Sequence, residues 1–341
     1  MNNQTNKQGS DYDWRDNLRR MFRMVAHFDP FLFIGLIAVF TTLIFGAFSC
    51  KKSASHEEVV IYAAQDQVYA EPILHEFEKE TGIKVKAVYD SEAVKTVGLA
   101  NRLLAEREHP QCDVFWGNEE MRTRQLAAQN VFRETNGWAA FGIRSRCMAI
   151  SDSDLEHHYV GPRIDSLLAL TNAMWRGKLC VALPQFGTTA THFHALRQHW
   201  GETLWLAWCR ALAANEPIVV DGNSVVVKFV ARGEAWIGLT DSDDIAAGIR
   251  EKLGVTAWPL SGESLLIPNT VAVIRGAPHP ANAQKLFDYL QSRKVVDELV
   301  QAKALEGAVA PTNITTLKPD WDALLRDLDT TTKQLNEIFL R

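Results

Sequence analysis

The stretch from Val59 to Glu120 constrains the fold more than any other part of this chain. VVIYAA (Val59 to Ala64) is short, apolar and rich in β-branched residues, as befits a strand buried on both faces of a parallel sheet. Gln65, Asp66 and Gln67 end it. Pro72, suited to the first turn of a helix, then precedes Ile73, Leu74 and Phe77 on one helical face, and Thr81-Gly82 supplies a left-handed stop. Ile83, Val85 and Ala87 alternate with Lys84 and Lys86, giving a second strand with one wetter face. Val94, Val97, Leu103 and Leu104 form a second helix that Pro110 closes, and DVFW (Asp113 to Trp116) is a third strand that breaks at Gly117. A strand–helix–strand–helix–strand unit implies an α/β fold whose ligand crevice lies at the carboxyl ends of the strands. Gln65-Asp66 and Asn118-Glu119-Glu120 fall at such ends.

The same alternation continues. FGIRSRCMAI (Phe141 to Ile150) reads as a strand leaving a first lobe, and WRGKLCVALP (Trp175 to Pro184) supplies another. A helix follows the Gly187-Thr188-Thr189 turn, and TLWLAWCRALAAN is a strongly apolar helix with Leu204, Trp208 and Leu212 at helical spacing. PIVV (Pro217 to Val220), the segment Ala235 to Leu239, and IPNTVAVI (Ile267 to Ile274) read as strands, with helices after Ser224, after the acidic turn at Asp241 to Asp244, and at PANAQKLFDYLQS. Two α/β units with a return strand near Ile267 describe a two-lobed architecture, each lobe a mostly parallel sheet flanked by helices. Residues 59–147 with 268–310 are expected to form one lobe, 148–267 the other, and 311–341 a C-terminal helical segment. At 341 residues and 47% hydrophobic content, the chain can bury two such lobes, while a net charge of -5 gives no electrostatic support to nucleic-acid binding.

Residues 1–30 are polar and place Arg15, Arg19, Arg20 and Arg23 before an apolar, uncharged run from Phe31 to Phe48. The run is near the lower limit for a membrane span, and its basic flank is expected to stay in the cytoplasm, which puts the rest of the chain outside. Ser49-Cys50 and KKSASHEE follow. Small residues before Cys50 resemble a lipoprotein signal with Cys50 as the lipidated residue; an uncleaved signal anchor spanning 31–49 is the alternative. Residues 50–58 then form a tether to the membrane. Cys112, Cys147, Cys180 and Cys209 lack metal spacing and are expected to be buried thiols.

VVIYAAQDQ, FEKETGIKV, NRLLAEREHPQCDVFWGNE, WRGKL, GNSVVVKFVARGEAWIGLTDSDD and the PHPANAQKLFDYL helix resemble extracellular solute-binding proteins of ABC transporters, the type II periplasmic-binding fold. The similarity runs over roughly residues 59–310 and is nearest to the ferric-iron-binding branch. It implies two lobes closing on a ligand, which is handed to a permease with a cytoplasmic ATPase.

The candidate site residues each have a plainer role as well. Gln65 and Asp66 lie where the resemblance implies a first-lobe ligand, though Asp also starts turns. Ser91 and Glu92 suit helix capping. Asn118 and Glu119 match the region from which iron binders supply a carboxylate, and both also suit a helix start. Asp241, Ser242, Asp243 and Asp244 put three acids within four residues, more than capping needs, and a bound cation would relieve their repulsion; oxygen ligands suit hard cations. Glu119, Asp241 and Asp243 are therefore the expected metal ligands. The resemblance implies two adjacent tyrosines here, and Ser242-Asp243 stands in their place. Thr188, Thr189, Asn223 and Ser224 open helices and suit either N-capping or an anion. His192 and His199 are two turns apart, too far for one ion, and neither His194 nor His157-His158 has suitably spaced partners. Trp205 and Trp208 read as core.

The sequence thus leads us to expect a monomeric, membrane-tethered binding component of an ABC importer, with ferric iron or another hard cation as cargo and no cofactor. A phosphate-bearing, phosphonate-bearing or cationic organic ligand, or an anchored sensory module, is the alternative. No nucleophile stands beside a base, so an enzyme is not expected.

Overall fold

The computed structural model describes residues 19–20, 57–90, 95–152, 164–310 and 315–340. The chain divides into a unit of residues 1–55 and a unit of residues 56–341. Of the first, only Arg19 and Arg20 are described, both helical and exposed. The expected span at 31–49 and Cys50 therefore lie outside the described residues, as do Ser91, Glu92, His157 and His158. Among the described residues, no helix is long and apolar enough to cross a membrane.

The second unit opens with β1 (Glu58–Ala63), α1 (Gln67–Thr81), β2 (Lys84–Tyr89), α2 (Lys95–Ala105), β3 (Val114–Gly117) and α3 (Glu120–Ala128), the alternation that the sequence predicts. β1 lies between β2 and β3 and is parallel to both. Its side chains divide by the two-residue period of a strand. Val59, Ile61 and Ala63 join a core with Phe77 and Leu286, while Tyr62 and Ala64 join the opposite core with Leu99 and Phe115. The Gly82 cap is present: its φ is 71° and its N–H reaches the Glu78 carbonyl at 2.8 Å. Helix α1 begins five residues before Pro72, so this proline sits inside the helix rather than at its start. It leaves the Val68 carbonyl without a helical donor near the N-terminal end, where the loss disturbs least of the helix.

The long strand β4 (Trp138–Ser151) connects the two halves. They are completed by β5 (Leu179–Ala182), α4 (Gly187–Trp200), α5 (Glu202–Ala214), β6 (Ile218–Val220), α6 (Asn223–Ala231), β7 (Ile237–Asp241), α7 (Ser242–Arg250), β8 (Val255–Trp258), β9 (Leu266–Val273), α8 (Pro280–Leu290) and α9 (Arg293–Gln301). The strands make one sheet in the order β2-β1-β3-β9-β4-β7-β5-β6, with β8 paired to β4. The first part of β4 pairs antiparallel with β9, and from Arg146 onward it pairs with β7 and β8. One strand thus leaves the first lobe and enters the second. Its far end feeds two cores by the same alternation, Met148 and Ile150 on one face and Cys147 and Ala149 on the other. Trp205 and Trp208 are buried in the first of these, and Cys112, Cys147, Cys180 and Cys209 are free and buried. At the C-terminus, α10 (Trp321–Arg326) and α11 (Leu328–Phe339) pack against helices of both lobes. β8 and α9 were not anticipated from the sequence.

Candidate functional site

The site begins with a bend in β4. Its register against β9 shifts between Phe141 and Arg144, and Gly142 there has a φ of 58°. A Cβ at Gly142 would lie 2.3 Å from a Leu305 methyl, so both the backbone conformation and the space require glycine. Beyond the bulge, Arg144 and Arg146 are two residues apart and share a face. In register, Arg146 lies opposite Asp241, the last residue of β7.

That register assembles a buried polar cluster. Arg146 Nη1 is 2.7 Å from Asp241 Oδ1 and donates to Asn223 Oδ1 at 3.1 Å. Thr188 Oγ1 donates to Asp241 Oδ2 at 2.7 Å, and Asn223 Nδ2 reaches the same oxygen at 3.3 Å. Arg144 adds ion pairs to Asp243 at 3.3 Å and Asp241 at 3.6 Å, and donates to the Asn118 carbonyl at 2.9 Å. Burial would push the Asp241 carboxyl up, but the Arg146 and Arg144 charges and the Thr188 hydrogen bond outweigh it and hold it below the usual carboxylate range. The repulsion expected among Asp241, Asp243 and Asp244 is thus partly offset by two guanidiniums paired with Asp241 and Asp243.

This cluster forms one wall of a cleft with a void of about 50 Å3, lined from one side by Asp66, Thr96 and Asn118 and from the other by Gly187, Thr188, Thr189, Asp221, Gly222, Asn223, Asp241, Asp243 and Asp244, with Arg144 between. Four helices begin there. The residues preceding α1, α4, α6 and α7 are Asp66, Phe186, Gly222 and Asp241, and none makes a side-chain cap hydrogen bond. The positive dipole ends of four helices therefore lie at this cleft, each without a cap from the side chain of the residue before it.

The expected site residues fall into two sets. Asp66, Thr188, Thr189, Asn223, Asp241, Asp243 and Asp244 line the cleft. Gln65, Glu119, Ser224 and Ser242 are not among its lining residues. Gln65 is buried, and Ser242 Oγ accepts the Ser145 N–H at 3.2 Å. Glu119 is the N-cap of α3: its carboxylate accepts the Met121 N–H at 2.7 Å, the Arg122 N–H at 3.0 Å and the Thr191 hydroxyl at 3.0 Å. Burial pushes its carboxyl up, with Arg122 pulling the other way. The expected trio of Glu119, Asp241 and Asp243 is accordingly not assembled. Among the described residues, the carboxylates that can share an ion are Asp241, Asp243 and Asp244, whose oxygens lie within 4.8 Å of one another. Of the histidines, His192 binds the Glu263 carbonyl through Nε2 at 2.7 Å and His194 is buried nearby.

Sequence reasoning missed Arg144, Arg146, Thr96 and Asp221. The two arginines had a readable signal: charged residues at a two-residue spacing inside FGIRSRCMAI require buried partners of opposite sign.

A family model described as bacterial extracellular solute-binding protein matches residues 59–302. The chain belongs to this family. It is 27% identical over 224 residues to an Fe(3+)-binding periplasmic protein of Serratia marcescens, a match covering 60% of this chain and 63% of that protein. A protein of Salmonella paratyphi A named for 2-aminoethylphosphonate binding is 25% identical over 277 residues, covering 72% and 80%. Among solved structures, the periplasmic binding protein AfuA of Actinobacillus pleuropneumoniae, with fructose-6-phosphate bound, superposes with a TM-score of 0.72 at 17% identity, covering 83% of this chain and 98% of that one. That likeness establishes the two-lobed α/β periplasmic-binding fold.

Proposed function

We propose that this solute-binding protein is the capture component of an ABC importer, trapping a compact phosphate- or phosphonate-bearing solute in the cleft and passing it to a permease with a cytoplasmic ATPase. The observation that carries this reading is the convergence of four helix N-termini, none with a side-chain cap, on one small cleft beside Arg144. Such termini bind anions through backbone N–H groups and the helix dipole. The acids at Asp66, Asp221 and Asp244 suit hydroxyl or ammonium groups on the same solute, since carboxylates accept hydrogen bonds from either. A void of this size admits roughly four water-sized bodies and so favours a compact head group. The relatives named for 2-aminoethylphosphonate and the fructose-6-phosphate complex agree with a ligand of this class.

A second reading is a hard cation such as ferric iron, favoured by the proximity of Asp241, Asp243 and Asp244 and by the Fe(3+)-binding relative. Two guanidiniums against Asp241 and Asp243 weigh against it, because they already hold the carboxylates an ion would need. In both readings the chain binds without chemical conversion, acts as a monomer outside the cytoplasmic membrane, and is tethered by a lipid on Cys50 or by an uncleaved anchor at 31–49.

Thermal unfolding with 2-aminoethylphosphonate, fructose 6-phosphate, inorganic phosphate and ferric citrate separates the two. A ligand at a hundred times its Kd stabilises by about 2.7 kcal/mol, a shift of several degrees. Stabilisation by an organic phosphate or phosphonate supports the first reading. Stabilisation by ferric citrate alone replaces it with the second.

A further inference from the structure

Arg250, the last residue of α7, lies outside the cleft lining, yet two hydrogen bonds of its guanidinium cross to the other lobe. Nη1 donates to the Ala302 carbonyl at 2.7 Å and Nη2 to the Tyr69 hydroxyl at 2.5 Å. Its guanidinium also lies 5.4 Å from the centroid of the Tyr69 ring. Ala302 is the C-cap of α9, where the negative end of the helix dipole favours a cation. Tyr69 is in the first turn of α1, three residues after the cleft residue Asp66, and is itself buried. Arg250 therefore joins the end of α7 to the start of α1, and the opposite end of α7 carries Asp243 and Asp244 into the cleft.

We propose that Arg250 is a positioning residue that latches the two lobes together at the rim of the cleft, setting how long a captured solute is retained without touching it. The hinge is β4, the strand that changes partners between the lobes. Rotation about it to open the cleft separates α7 from α1 and α9, so both donors of Arg250 lose their acceptors together. A fork of two N–H groups against a carbonyl and a hydroxyl at fixed spacing is specific to arginine; lysine can reach only one acceptor with the same geometry. The bridge favours the closed state and slows exit of whatever the cleft holds. It rests on the trap reading of the cleft but not on which solute is bound.

Hydrogen exchange read by mass spectrometry on the full-length, ligand-free protein tests this. Arg250→Ala is expected to speed exchange about tenfold in the segments 187–189 and 222–224, on the second-lobe wall of the cleft and away from the Arg250 bonds, as loss of a partly exposed charge-assisted hydrogen bond implies. Exchange within α8 should not change, which reports that the fold is intact, and Arg250→Lys should fall between wild type and alanine. Acceleration confined to residues adjoining Arg250, with the cleft segments unchanged, would overturn the latch and leave an ordinary surface contact. Adding inorganic phosphate distinguishes the two levels of inference. If phosphate protects nothing while Arg250→Ala still exposes both cleft segments, the ligand reading fails and the latch stands.

Discussion

His192 and His194 lie one to two turns into α4, buried, with their pKa values pushed down to about 3 by burial and, in second place, by the positive charge of Arg146 on His192 and of Arg122 on His194. Both remain neutral in the folded protein across the physiological range, whereas in the unfolded chain each titrates near 6.5. The folded-state pKa is depressed, so the unfolded chain binds more protons between these values, and stability falls as pH drops from 6.5 toward 3. Moving from pH 7 to pH 5 protonates the unfolded histidines and leaves the folded ones neutral. That costs about 2 kcal/mol for each, or about 4 kcal/mol for the pair. Urea unfolding at pH 7, 6 and 5 measures the loss, and His194→Gln removes one titrating group. The variant should lose about 2 kcal/mol less than wild type over the same interval. Glu119, whose carboxyl is pushed up by burial, contributes with the opposite sign, but it is present in both proteins and cancels in the difference. Equal losses in wild type and His194→Gln would refute the assignment of His194 as a buried neutral side chain.

Other substitutions probe the cluster and its supports. Arg146→Met leaves the buried Asp241 carboxylate without its nearest charge and should cost about 3–5 kcal/mol in urea unfolding, with much of the loss recovered when Asp241→Asn is added. Glu119→Gln should cost about 1 kcal/mol through the weakened cap of α3 and leave solute affinity within a few-fold of wild type by calorimetry; an affinity loss of a hundredfold would restore Glu119 to the binding site. Gly142→Ala forces a left-handed alanine against Leu305 and should destabilise by about 1–3 kcal/mol, measured by the same unfolding titration.

The doubly wound core was legible because local patterns and tertiary packing agree there. VVIYAA is buried on both faces, and its two sets of side chains feed separate cores, as a continuous apolar strand implies. Asp66 was placed by the rule that strands deliver their carboxyl ends to the crevice, Thr188 and Asn223 by their positions at helix starts, and Asp241 by the acids clustered around it; all four line the cleft. What the sequence concealed were pairings between distant segments. Arg146 and Asp241 are 95 residues apart, and only the antiparallel register of β4 and β7 puts them face to face. Without that pairing, three acids in four residues read as a negative patch with no counter-charge but a bound cation, whereas Arg144 and Arg146 supply part of that counter-charge. Glu119 misled for a related reason. A carboxylate after a strand can point into the crevice or fold back over the next helix, and here two N–H groups and Thr191 hold it over α3. Pro72 shows the limit of a local rule: packing of Tyr69, Ala70, Ile73 and Leu74 extends the helix upstream past a residue that normally starts one.

Isothermal titration of the purified protein with a small phosphonate or phosphate monoester, compared with Thr188→Val and Arg144→Met, tests the anion-trap reading most directly. A saturable, one-to-one heat with wild type that weakens at least tenfold in both variants is the predicted result. No heat with any phosphate or phosphonate, together with tight binding of ferric ion that depends on Asp243 and Asp244, would contradict it.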